Sequence, residues 1–279
     1  MTHPPVHVND SFMDTIGPQQ AWFAGMMASD GCLQKERYVS LSQSGDHGAD
    51  MMRYIAQFLD YDGKIRTTKT ARLDAHRIWF NSRKIGAALS RLGLQSPKST
   101  TLLFPEEMKG DMSREFLRGY VEGDGSVGVY CKKAPMLCIN VVGTDSFISE
   151  ARELFPVPSL RTVLKARNCH ELRWNGWKAE ELASWLWSTP SLYEGRKLGI
   201  VRKYLAEVYP DSKRFALIKR NVTWMLSIEM SITHAAIAAG CSFQNIYKWL
   251  NSGVIPCSGQ VRWIHMVNLD LVQHTLGDE

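Results

Sequence analysis

WFAGMMASDGCL (Trp22–Leu33) and FLRGYVEGDGSV (Phe116–Val127) are two copies of one pattern. Aligned, Gly25 falls on Gly119, Asp30 on Asp124 and Gly31 on Gly125, each 94 residues apart. Each copy is a run of apolar and small residues ending in an acid followed by glycine. Pro18 stands just ahead of the first run, and Asp30-Gly31 stops it, as expected of a helix. A single Asp-Gly is a common turn signal. Two aligned copies carry a stronger meaning: they can bring two carboxylates to one place across an internal pseudo-two-fold axis.

The flanking sequence repeats too. In the first half, a helix over Gln19–Ala28 precedes short strands around Tyr38–Gln43. Apolar residues at Met51, Tyr54, Ile55, Phe58 and Leu59 have helical spacing. Strands follow near Lys64–Thr70 and His76–Asn81, then a helix over Arg83–Leu92. The second half runs in the same order: helix Arg114–Glu122, strands Ser126–Tyr130 and Met136–Val142, and helix Ser146–Phe155 with Asp145 as its expected N-cap. Strands near Arg161–Arg167 and Glu171–Trp174 and a helix over Lys178–Trp187 complete it. Each half reads αββαββα. Two long copies indicate a duplicated domain, not a solenoid. The expected fold class is α+β: a duplicated core with pseudo-two-fold symmetry, plus a small, mainly helical C-terminal domain. The expected boundaries are a loose polar leader over 1–18, a first half over 19–109, a second half over 110–210 and a separate module over 221–279.

Small residues on the two motif helices, Gly25 and Gly119 above all, let helix backbones approach closely for steric reasons. Helices packed that way end together, and their C-termini carry partial negative charge. Asp30 and Asp124 add two full charges there, an arrangement that calls for a cation. Hard oxygen donors favour Mg²⁺, or Mn²⁺, over zinc or copper. Such an ion suits phosphodiester hydrolysis.

FAGMMASDG (Phe23–Gly31) and LRGYVEGDG (Leu117–Gly125) resemble the nine-residue motif of the LAGLIDADG homing endonucleases, in their single-chain, double-motif form. The resemblance spans roughly residues 19–208. It implies that Asp30 and Asp124, at the eighth motif position, are the metal ligands. The sixth position, often acidic in the family, is Ala28 in one copy and Glu122 in the other. LGLQSPKSTTLLFP (Leu92–Pro105) and YEGRKLGIVRKYL (Tyr193–Leu205) each place a lysine, Lys98 and Lys197, soon after a closing helix. In the family a basic residue from this region sits near the scissile phosphate. A lone lysine is otherwise simply solvated; the repeated frame sets these two apart. Gln43 matches a water-ordering residue of relatives, and the second half offers Val141 or Val142 at that place. The resemblance also implies cleavage across the minor groove, leaving 3′ overhangs.

Period-two alternation groups Lys64, Arg66, Thr68, Thr70 and Arg72 on one face of a strand, and Arg161, Lys165 and Arg167 on one face of another, with Leu160 and Leu164 opposite. Such faces are either ordinary solvated sheet or a basic ribbon for the major groove. Their matching places in both halves favour DNA. Near the end of the chain, ITHAAIAAGCSFQNIYKWLNSG (Ile232–Gly253) resembles a helix-turn-helix, with Gly240 at the turn. It would present Gln244, Asn245 and Lys248 to bases or phosphates. The alternative is a helical packing module that touches no DNA.

Bulk properties narrow the classes. Hydrophobic residues make up 44% of the 279, enough for a packed core. The +5 net charge is a mild basic bias. Cys32, Cys131, Cys138, Cys169, Cys241 and Cys257 form neither a CxxC nor a disulfide framework, so they read as reduced thiols. No zinc-ligand spacing, signal peptide or apolar run of ~18 residues occurs. The expectation is a monomeric, cytoplasmic, nucleoid-associated homing endonuclease from a phage or other mobile element, acting on double-stranded DNA and not on a membrane. The competing readings are a non-cleaving regulator built on the same core and an RNA-splicing maturase. An intein host is not expected, since the chain lacks a nucleophilic first residue and a His-Asn ending.

Overall fold

Pro18 opens the first motif helix, where its missing N–H removes no hydrogen bond. A computed structural model describes residues 6–98, 100–130, 135–164, 169–188 and 193–207, with the side chains of 161–164 excepted. Helix α1 spans Pro18–Ser29, and the Gln20 side chain accepts from the Gly17 N–H at 3.2 Å. Asp30 is the C-cap, its N–H reaching Met26 O at 3.0 Å. Every residue from Ala21 to Ala28 is buried, so α1 is a central helix and not an amphipathic surface one.

Strands β1 (Gly31–Gln34) and β2 (Tyr38–Ser44), helix α2 (Asp46–Phe58), strands β3 (Arg66–Thr68) and β4 (Ala75–Asn81) and helix α3 (Arg83–Arg91) complete the first half. The second half comprises α4 (Ser113–Asp124), β5 (Gly125–Tyr130), β6 (Met136–Gly143), α5 (Asp145–Leu154), β7 (Leu160–Leu164), β8 (Cys169–Asn175) and α6 (Trp177–Leu186). The two sheets run β1-β2-β4-β3 and β5-β6-β8-β7, antiparallel throughout. Their registers match: Gly31 pairs with Leu41 and Leu41 with Ile78, as Gly125 pairs with Val141 and Val141 with Leu172. The fold is therefore the α+β duplication expected of the sequence.

The halves meet along α1 and α4. A Cβ on Gly25 would fall 2.0 Å from Phe116 O, and one on Gly119 would fall 2.0 Å from Trp22 O. Only glycine permits that crossing. One face of each sheet supplies the rest of the core. Leu33, Val39, Leu41, Ile78 and Phe80 are buried in the first half, and Leu137, Ile139, Val141, Leu172 and Trp174 in the second.

Four local expectations change. Residues 6–17 are not a loose leader: Val8, Phe12 and Met13 are buried, Phe12 stacks on Phe58 at 5.0 Å, and Asn9 N–H donates to Leu59 O at 2.7 Å. Three apolar residues in that polar stretch suffice to dock it. The N-cap of α5 is Thr144, not Asp145; its Oγ1 accepts from Phe147 N–H at 3.2 Å, leaving Asp145 in the first turn. The strand expected over Lys64–Thr70 is ordered as strand only at Arg66–Thr68, with Lys64, Thr70 and Arg72 in the flanking loops. A seventh helix, α7 (Arg196–Glu207), follows the second half, and Lys197 lies within it. Among the described residues no helix is long and apolar enough to cross a membrane. The module expected over 221–279, with Gln244, Asn245 and Lys248, lies outside the described residues, as do Lys165 and Arg167.

Candidate active site

The glycine contact between α1 and α4 decides where the two acids go. Because the helices cross closely, their C-terminal ends stay together. A Cβ on Gly123 would fall 2.0 Å from Ser29 Oγ and 2.6 Å from Asp30 Oδ2. The end of α4 thus lies directly against the Asp30 carboxylate, and Asp124 follows on the next residue.

Both aspartates keep open surface on one side, yet protein crowds the carboxylates on the other. Loss of water raises the Asp30 carboxyl above its ordinary value, against the Gln43 hydrogen bond and the charges of Lys197 and Lys98. The Asp124 carboxyl is raised by the same desolvation and next by the Asp30 charge itself. Lys98, Lys197 and the Tyr120 hydroxyl act in the opposite direction. The two acids therefore feel one another, and each half-ring of partners lowers the cost of their charge.

The two lysines hold matching posts. Lys98 Nζ donates to Ser29 O, at the end of α1, at 2.5 Å. Lys197 Nζ donates to Val121 O and Glu122 O at 2.6 Å and to Gly123 O at 3.1 Å, at the end of α4. Each satisfies carbonyls that a helix C-terminus leaves open and offsets its negative dipole. Burial lowers both ammonium pKa values, that of Lys197 to about 8, while the aspartates oppose the shift. Lys197 reaches its post from inside α7, whereas Lys98 reaches its own from a turn, its carbonyl accepting from Thr101 and Leu102 N–H.

Gln43 Nε2 donates to Asp30 Oδ2. Its second-half counterpart is neither Val141 nor Val142: the matched registers place Gly143 there, opposite His170 as Gln43 is opposite His76. Sequence inspection misses this because a shift of one residue in register changes which residue faces the acid.

Glu115, Arg118 and Glu122 form a buried stripe on α4 that the sequence reading also omitted, apart from Glu122. Arg118 and Glu115 pair at 2.9 Å, and Glu122 is the strongest charge favouring protonated Lys197. The corresponding positions of α1 are Ala21, Ala24 and Ala28. Spacing of three and four residues was the available signal.

On the sheets, the open face of the first half carries Arg66 opposite Arg77, with Thr68 opposite Ala75. Arg77 donates to Ser40 Oγ at 2.8 Å, and Trp79 stacks on Tyr38 at 6.0 Å beside Arg37. Arg77 and Trp79 join the expected set; Lys64 and Arg72 are exposed beside it. In the second half the register differs from the expected grouping: Arg161 pairs with the buried Leu172, and Leu160, 63% exposed, pairs with Arg173. Arg173 contacts Asn140 Oδ1 and Glu171 Oε1, each at 3.2 Å.

No family model matches the chain, and no curated protein matches it in sequence. Solved structures do match. The I-LtrWI LAGLIDADG homing endonuclease bound to target DNA is 11% identical, covering 71% of this chain and 92% of its own, with a TM-score of 0.46. The LAGLIDADG meganuclease I-AabMI bound to uncleaved DNA is 14% identical, covering 71% and 93%, with a TM-score of 0.47. I-DmoI in complex with DNA and Ca is 13% identical, covering 70% and 99%, with a TM-score of 0.44. In fold, this chain is similar to these solved LAGLIDADG homing endonucleases.

Proposed function

We propose that this protein is a divalent-metal-dependent endonuclease that cuts double-stranded DNA at a long asymmetric site. The observation that supports it most is the convergence of Asp30 and Asp124 from equivalent helix ends, each with a lysine posted beside it. Two carboxyls raised by loss of water, Asp124 further by the charge of Asp30, at two negative helix ends are an arrangement that a hard cation relieves. Among the described residues no three His, Cys, Asp or Glu side chains gather as a metal cage. That suits Mg²⁺, which typically takes one or two carboxylates and fills its shell with water and substrate phosphate. The donors present therefore fit Mg²⁺ or Mn²⁺, with Asp30 and Asp124 as the ligands. When bound, such an ion supplies charge stabilisation to a reacting phosphodiester.

The remaining roles belong to side chains of this chain. Gln43 holds the Asp30 carboxylate by hydrogen bonding, and its amide keeps a carbonyl oxygen free to order water. Lys98 and Lys197 set positive charge next to both acids, where a phosphate dianion-like transition state would develop. The two sheets offer their open faces to the duplex, Arg66 and Arg77 as candidate readers of guanine and Lys64 and Arg72 as phosphate contacts. Lys165, Arg167, Gln244, Asn245 and Lys248 stay in the proposal as further DNA contacts, while Arg161, in register with buried Leu172, does not.

The deciding experiment is Mg²⁺-dependent cleavage of the uninterrupted allele of the gene's own insertion locus. Wild type should cut at one place. Asp30→Asn and Asp124→Asn should each lose more than about 100-fold in rate or stop at a nick. Tight binding without cutting, indifferent to both substitutions, would move the protein to the regulator or maturase class.

A further inference from the structure

Lys98 and Lys197 hold equivalent posts, but the segments leading to them are anchored in different places. Four residues before Lys98 stands Leu94, and four before Lys197 stands Tyr193. Leu94 is wholly buried, and its N–H donates to Leu89 O of α3 at 3.0 Å. Gln95 Nε2 donates to Glu36 Oε1 at 3.2 Å, and Ser96 N–H to Leu33 O at 3.3 Å. These partners all belong to the first half, so the segment before Lys98 rests on its own half.

The segment before Lys197 crosses over. Tyr193 is 9% exposed, its ring 5.7 Å from that of Trp22 on α1 and 5.3 Å from that of Tyr54 on α2. Its hydroxyl donates to His47 O, in the first turn of α2, at 3.2 Å. Each of these contacts is with the first half. Between Tyr193 and Lys197 the chain has little freedom. A Cβ on Gly195 would fall 2.6 Å from Tyr193 Cε1 and 2.9 Å from Glu122 Oε2, so the backbone is pressed between the ring and α4. Glu194 accepts from both terminal nitrogens of Arg202, further along α7, at 2.6 Å each. Gly199 N–H donates to Gly195 O at 3.1 Å, so α7 starts directly from the pressed glycine. Lys197 follows in the first turn of that helix. A ring seated in one half thus fixes where α7 begins, and its first turn carries the lysine that satisfies the Val121, Glu122 and Gly123 carbonyls of the other.

We infer that Tyr193 is the positioning residue of Lys197, seating it at the end of α4 from the first half. The effect on cutting rests on the nuclease reading above; the placement of the lysine does not. The two centres are therefore wired differently. Lys98 is set by its own half, and Lys197 depends on the packing of both.

The test uses the full chain with Tyr193→Leu, which installs the first half's residue, Tyr193→Phe, which keeps the ring and drops the hydroxyl, and Lys197→Met. Each DNA strand carries its own label. Tyr193→Leu should slow the cut of one strand relative to the other about 10- to 100-fold, the usual cost of a displaced active-site group, and let nicked duplex accumulate. The slowed strand should be the one that Lys197→Met slows, and Tyr193→Phe should recover most of its cut. A second readout needs no DNA: acetylation of the folded protein by acetic anhydride, followed lysine by lysine in a mass spectrometer. Lys197 is 4% exposed, and Tyr193→Leu should raise its rate about tenfold by local opening while that of Lys98 in the same molecule holds. A variant that only weakened the fold would raise both. An unchanged Lys197 rate, a parallel rise of both lysines, or equal slowing of both strands overturns the inference while leaving the nuclease reading standing. If wild type cuts neither strand, the nuclease reading falls, and acetylation alone decides the placement.

Discussion

At the scale of the residue, charge placed without water governs what this site can do. A carboxyl whose folded pKa is raised keeps its proton to higher pH than in the unfolded chain. Stability then falls as pH rises from the ordinary value of 3.8 to the folded one, and the full cost persists above it. Asp30→Asn and Asp124→Asn should therefore be more stable than wild type at neutral pH in EDTA. The gain should not exceed about 1 kcal/mol, because solvent screens one side of each group. That corresponds to roughly 2–4 °C in a melt. It should vanish below the ordinary carboxyl pKa and, if the proposed cation site is real, shrink when Mg²⁺ or Ca²⁺ is added. Variants no more stable than wild type at any pH would sink this account. The lysines should separate similarly. Lys98→Met should cut about 10²–10³-fold more slowly and lose less stability than Lys197→Met, because it frees one part-buried carbonyl where Lys197 holds three. Lys197→Met should also lose about 1–3 kcal/mol in urea unfolding, because it strands carbonyls at the end of α4.

At the scale of the element, the helix crossing is the part of the design with least tolerance. Gly25 and Gly119 touch the opposite helix's backbone, which cannot move aside as a side chain could. Gly25→Ala or Gly119→Ala should cost more than about 3 kcal/mol, at or beyond the usual range for overpacking, or prevent folding. Gly199 supplies the control. It lies inside α7 with nothing within 4 Å of an added Cβ. Gly199→Ala should stabilise by roughly 0.5–1 kcal/mol, the difference in helix preference between the two residues. Equal effects at the three glycines, read from urea midpoints, would show that the crossing is not close-packed.

At the scale of the whole molecule, duplication has been followed by divergence. The open face of the first sheet is rich in arginine, with Arg66 and Arg77 opposite one another. In the second sheet Arg173 is already engaged by Asn140 and Glu171, and Leu160 stands exposed opposite it. Such faces suit an asymmetric duplex better than a palindrome. In a binding-site selection, Arg77→Ala should relax preference at one or two base pairs of a single half-site, by about 1–3 kcal/mol each. Lys64→Ala should weaken binding evenly across sequences and reduce the salt dependence by about one ion. A uniform loss of affinity with Arg77→Ala would assign that side chain to phosphate.

Sequence alone determined the duplication, the order of elements and the two acids, because helix and strand periodicity and the Asp-Gly stop are local properties. It also singled out Lys98, Lys197 and Gln43, through the repeated frame and the resemblance it carries. Tertiary structure decided what each of these touches. That Lys197 caps α4 from inside α7 and that Gly143 replaces a glutamine both follow from strand register and helix approach. So does the burial of Val8, Phe12 and Met13 in a stretch that looks like a polar leader. These depend on contacts between residues far apart in the chain, and no local pattern records such distances.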